Sequence, residues 1–103
     1  MSVTMRIIQE YDITREDEFF ALEAKFAELE AARDDFPKGK RLKPISASVP
    51  CNCLIWEGKF ADLDSARAAL DFFSGDEAHE KLFAKQQPLF RRVKIEFYEN
   101  LQF

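Results

Sequence analysis

His79 is the only histidine in the chain, and so the only side chain whose unperturbed chemistry exchanges a proton near neutral pH. Set in a cleft between a helix and a sheet, it would act as a general base or as an axial ligand. In the first turn of a helix, between Glu77 and Glu80, it is equally at home as an exposed polar residue. Cys51 and Cys53 form Cys-x-Cys, and on a strand they would share a face, which suits soft metals. A closed metal site wants about four ligands, however, and one distant histidine does not complete the set. A disulfide between residues so close would be strained. Two free thiols near a turn are therefore expected, and no metal site is assigned.

A second group is defined by charge. Arg6, Glu10, Lys94 and Glu96 lie in two segments of strand-like alternation, at the two ends of the chain, with Tyr98 close behind. If those strands are neighbours, the five side chains meet on one face of a sheet. Covered by anything, that face demands that each charge be paired or shifted in pKa, because unpaired burial is costly. One reading is a polar pocket in which Tyr98 and a carboxylate orient a small organic substrate. The other is cross-strand ion pairing that fixes register and subunit geometry. Trp56, the single tryptophan, offers a flat surface for a planar ligand or a large core residue.

The elements that must position these residues follow from periodicity. Val3 to Tyr11 alternates as a strand, with Val3, Met5 and Ile7 on one face and Thr4, Arg6, Ile8 and Glu10 on the other. Thr14 followed by Asp17 resembles a capping box. A helix is predicted from there, with Phe19, Leu22, Phe26 and Leu29 on its apolar face and Glu16, Glu23, Glu30 and Arg33 elsewhere, ended by Pro37 and Gly39. Ile45 to Val49 reads as a modest strand after Pro44, and Cys53 to Gly58 as a third, richer in β-formers. Asp62 caps a second helix with Leu63, Ala66, Leu70 and Phe73 on its apolar face; Ser74-Gly75-Asp76 interrupts it, and Asp76 caps a renewed helix through Gln87. Val93, Ile95 and Phe97 alternate with Arg92, Lys94, Glu96 and Tyr98 in a last strand.

The order β-α-β-β-α-β is that of the α+β ferredoxin-like fold, an antiparallel sheet with its helices on one face, and residues 1–103 form a single domain. With two helical segments, the second sheet face stays open unless a partner covers it. Eleven phenylalanines in a 103-residue chain can fill an interior or meet a partner. Both observations point to a homodimer.

The segment Leu54-Ile55-Trp56-Glu57-Gly58-Lys59-Phe60, the helix Leu63 to Leu70, and Asp76-Glu77-Ala78-His79 before the last strand resemble the dimeric α/β-barrel superfamily, the group of NIPSNAP-like proteins and small antibiotic-biosynthesis monooxygenases. The resemblance spans nearly the whole chain as topology. It implies two sheets packed face to face into a barrel, and it implies no single activity, since the group holds cofactor-free oxygenases, haem-degrading enzymes, chlorite dismutase-like proteins and isomerases. Glu77-Ala78-His79 resembles the haem-ligating stretch of the haem-degrading branch, but that branch carries a Trp on the preceding helix and an Asn in the first strand. Both are missing here, and no cofactor is assigned.

Composition removes other classes. Lys and Arg number 15 against 19 acids, a net charge of −4, which argues against nucleic-acid binding. Lys38, Lys40, Arg41 and Lys43 are a local exception, read as a solvated connection or an anion-contacting loop. The strand Cys53 to Phe60 lacks the basic Gly-aromatic signature of an RNA-recognition motif. No apolar run reaches the ~20 residues of a membrane helix, and no signal peptide is visible, so no membrane association and a reducing cytoplasmic location are expected. The expectation is a homodimeric α/β-barrel protein binding a small organic ligand, with Arg6, Glu10, Trp56, Lys94 and Glu96 as ligand contacts. The alternative is a cofactor-free oxygenase or isomerase acting on a hydrophobic or aromatic molecule, with His79 or Tyr98 moving the proton.

Overall fold

In the computed structural model, which describes all 103 residues, the first element is the strand β1, Val3–Tyr11. Val3, Met5, Ile7 and Gln9 point to the side that carries the helices, as the alternation predicts, and Thr4, Arg6, Ile8 and Glu10 to the other. A 3₁₀ turn at Ile13–Arg15 follows, capped by Asp12 and not Thr14: the Asp12 carboxylate accepts the Thr14 backbone N–H at 3.0 Å. Helix α1 runs Glu16–Ala32 and stops well before Pro37, because Arg33 takes an extended conformation. Lys38 then folds back to donate to the carbonyl oxygens of Glu30 and Arg33, which the helix end leaves unpaired.

The second strand is not where the sequence pattern suggests. β2 is Lys40–Leu42, paired with β3, Cys53–Phe60. The segment from Ile45 to Val49 is a bent loop in which Ile45 is 91% exposed. α2 (Leu63–Gly75) and α3 (Glu77–Gln86) fall as expected: Asp62 accepts the Ser65 N–H at 2.8 Å and Asp76 the His79 N–H at 3.0 Å. A 3₁₀ turn through Pro88 leads into β4, Phe90–Glu99, longer at both ends than its alternation suggests.

The sheet order is β2-β3-β1-β4 with every neighbour antiparallel, which is the ferredoxin-like arrangement. The helices bury one face in two clusters. Val3, Met5, Phe36, Trp56, Ala66, Ala69 and Phe73 form one, under α2; Tyr11, Phe19, Leu22, Leu54 and Leu89 form the other, under α1. The opposite face is open, and on the helix side the outer strand β4 is only half covered, with Val93 and Ile95 exposed by 46% and 45%.

Trp56 dictates two glycines. Its indole lies along the sheet so closely that a methyl group at Gly58 would sit 2.7 Å from two of its ring carbons, and one at Gly39 2.4 Å from it. Gly58→Ala is therefore expected to destabilise the fold by about 1–3 kcal/mol through overpacking. In a Trp56→Phe background, which lacks the outer ring, most of that loss should vanish in a urea-unfolding double-mutant cycle. Equal losses in both backgrounds would show that the indole is not what requires the glycine.

Candidate functional site

Register places the site. Across the sheet at one level stand Arg41, Trp56, Ile7 and Ile95, on β2, β3, β1 and β4, all on the helix side. One residue away on β2, Lys40 belongs to the opposite face, where it meets Glu57. The short strand thus sends one cation of the basic segment inward.

Inside, Arg41 meets α1. Its Nε donates to Glu23 Oε2 at 2.6 Å, and its two terminal nitrogens grip Glu30, at 2.7 Å to Oε2 and 3.2 Å to Oε1. Gln86 of α3 donates to the other Glu23 oxygen at 2.9 Å, and the Trp56 indole N–H to Glu30 Oε1 at 3.4 Å. Burial works against the Arg41 charge, but the hydrogen bonds it donates to Glu30 and Glu23 outweigh it and leave the guanidinium above its ordinary pKa. The sequence pattern sets Glu23 and Glu30 away from the apolar face of α1; both are in fact buried, at 6% and 8% exposure. A signal for this exists, because Phe19, Glu23, Phe26 and Glu30 follow one another at spacings of four, three and four, a single helix face.

This network closes one end of a cavity of about 360 Å³ between helices and sheet. Phe26, Phe73, Phe83 and Phe90 supply aromatic walls, and Ile7, Val93 and Ile95 the floor. His79, at the start of α3, also lines it. Its ring stacks on Phe73 (centroids 5.1 Å apart, planes 24° apart) and lies 4.9 Å from Phe26. Two polar atoms of the lining are shielded from solvent with no hydrogen-bond partner, Gln9 Oε1 and His79 Nδ1. Such orphans cost about 1–3 kcal/mol each when left unmade. No group of three or more His, Cys, Asp or Glu residues is placed to hold a metal ion.

The sheet itself divides the residues singled out by sequence. His79 and Trp56 belong to the cavity, whereas Arg6, Glu10, Lys94, Glu96 and Tyr98 lie on the open face behind it. His79 and Tyr98 of one chain therefore cannot serve one site. On the open face Arg6 donates to Glu57 at 2.8 Å, and its guanidinium lies 5.1 Å from the centre of the Tyr98 ring. The Tyr98 hydroxyl donates to Glu96 at 2.6 Å, and that bond raises the phenol pKa. Glu10 stands opposite Cys53 and Arg92, and Lys94 opposite Ile8, and neither joins the cluster. The carboxylate that Arg6 takes, Glu57, escapes the sequence reading because it lies on β3, outside the two segments compared. Cys51 is exposed and Cys53 buried, and both are free thiols.

The hydrogen bond from Arg6 holds the Glu57 carboxyl below its ordinary 4.5; partial burial opposes this and Lys40 adds to it. A carboxyl whose pKa is lower folded than unfolded contributes stability above its unfolded value and loses it as pH falls through the folded one. Glu57→Gln should thus cost stability at pH 7, by less than about 1 kcal/mol for so accessible a pair. The deficit should shrink below pH ~4.5 in urea titrations. A deficit constant from pH 7 to 3 would mean that packing, not charge, is at stake.

No helix is long and apolar enough to cross a membrane. No protein-family pattern matches the chain, and no sequence among curated proteins does. Solved structures do match in shape. A NIPSNAP family protein from Agrobacterium tumefaciens superposes with a TM-score of 0.80 at 12% identity, over 99% of this chain and 88% of its own. An uncharacterised NIPSNAP domain protein from Burkholderia xenovorans gives 0.79 at 13%, over 100% and 97%. SnoaB, a cofactor-independent oxygenase from Streptomyces nogalater, gives 0.64 at 17%, over 99% and 95%. The likeness is one of fold, shared by NIPSNAP proteins and small oxygenases of the antibiotic-biosynthesis type.

Proposed function

We propose that this protein binds a small, mainly apolar, ring-bearing organic molecule in the cavity between its helices and its sheet. The observation that carries the reading is a cavity of about 360 Å³ whose phenylalanine walls also include two polar side chains, Gln9 and His79. We further propose a cytoplasmic homodimer joined through the open sheet faces, where Arg6, Glu57, Glu96 and Tyr98 form a polar cluster. The free thiols suit a reducing compartment. Neither nucleic acid nor membrane is among the proposed partners.

Native mass spectrometry of protein purified gently from its own host tests both parts. A dimer carrying one extra small mass per subunit is the expected result. A monomer would overturn the assembly, and a dimer that stays free of added mass through incubation with a diverse set of aromatic compounds would overturn the ligand.

A second reading is favoured by His79 alone. An imidazole in the wall of an apolar cavity can take a proton from a bound molecule, as a cofactor-independent oxygenase or isomerase requires. Under that reading His79→Ala abolishes turnover while the dimer persists. Tyr98→Phe, behind the sheet, leaves turnover intact. Turnover that survives His79→Ala would leave the binding role alone standing.

A further inference from the structure

The charges around the cavity are unequal. Three carboxylates, Glu23, Glu30 and Glu80, line it against a single guanidinium, Arg41. Lys38, which folds back onto the end of α1, gives its ammonium to backbone carbonyl oxygens and does not line the space. Arg41 is itself engaged on three nitrogens by the two buried carboxylates and has its charge already matched. Glu80, at the rim and 45% exposed on its side chain, is bound to no Lys or Arg; its carboxylate lies 3.6 Å from His79 Nδ1. Phe26, Phe73, Phe83 and Phe90 line the walls, and aromatic rings attract cations. Excess negative charge and aromatic walls favour the same kind of head group.

We infer that the cavity takes an organic amine: a flat apolar body bearing one ammonium group, whose charge answers the surplus carboxylate at the Glu80 rim. The inference rests on the cavity being a ligand site and adds the class of the ligand. It also disfavours organic carboxylates, since the one guanidinium of the lining is already paired.

Three molecules with one ring system separate the possibilities: 2-(1-naphthyl)ethylamine, 2-(1-naphthyl)ethanol and 1-naphthylacetate. The indole N–H of Trp56, the single tryptophan and part of the wall, gives one resolved NMR signal to follow at pH 7. The amine is expected to bind about tenfold more tightly than the alcohol and about a hundredfold more tightly than the acid. Glu80→Gln, at the exposed rim, should reduce the advantage of the amine about threefold. An alcohol that equals the amine, or an acid that exceeds it, overturns the amine assignment while upholding a ligand cavity. No shift of the Trp56 signal with any of the three overturns both.

Discussion

Arg41→Met should lower stability by about 3 kcal/mol, because it strands two buried carboxylates on α1 without a counter-charge. For a domain of this size that is a fall in Tm of roughly 12–20 °C. Its pH dependence should run opposite to that of the parent protein. Unpaired and buried, Glu23 and Glu30 bind protons more readily folded than unfolded, so the variant gains stability as pH falls from 7 toward 5. The parent, whose Glu57, Asp62 and Asp76 carboxyls lie below their ordinary values, gains nothing over that range and loses stability at lower pH. Converting Glu23 and Glu30 to Gln in the same variant should restore much of the loss. If Arg41→Met melts like the parent at pH 7, the network does not bear on stability.

Trp56→Ala is expected to cost about 3–5 kcal/mol. The indole is 4% exposed, packs edge-on against Phe73 at 5.5 Å, fills the space above Gly39 and Gly58, and donates to Glu30. Its removal also opens the cavity wall into the core, so a ring-bearing ligand should lose affinity at temperatures where the variant is still folded. Because Trp56 and Arg41 share Glu30, the double variant should lose less than the two single losses together. Additive losses in thermal and urea unfolding would show that the two residues act separately.

The alternation of Val3, Met5 and Ile7, and the capped helices after Asp62 and Asp76, are legible because each depends on neighbours in sequence. The strand β2 is not. Ile45 to Val49 has the better strand composition, but what makes Lys40–Leu42 a strand is a distant partner: Lys40 gains Glu57, and Arg41 gains Glu23 and Glu30. The basic segment, read as a solvated connection or an anion-contacting loop, is instead divided among internal partners, with Lys38 on helix carbonyls and Lys43 on the Cys51 carbonyl. Charge runs carry no mark of which members turn inward; only the two-residue period of a strand decides it. The open-face group is visible as a set of strand neighbours, yet Glu57 and the separation of Tyr98 from His79 by a layer of backbone require the register of three strands at once.

The half-covered outer strand has a consequence for timing. Because Val93 and Ile95 both line the cavity and face solvent, its side door at β4 stands ajar in the resting molecule. A guest can slip in sideways without any helix lifting away. Entry should then be about equally fast for guests of similar size, and the lifetime of each complex, from fleeting to long, should be set by how firmly its polar end is held.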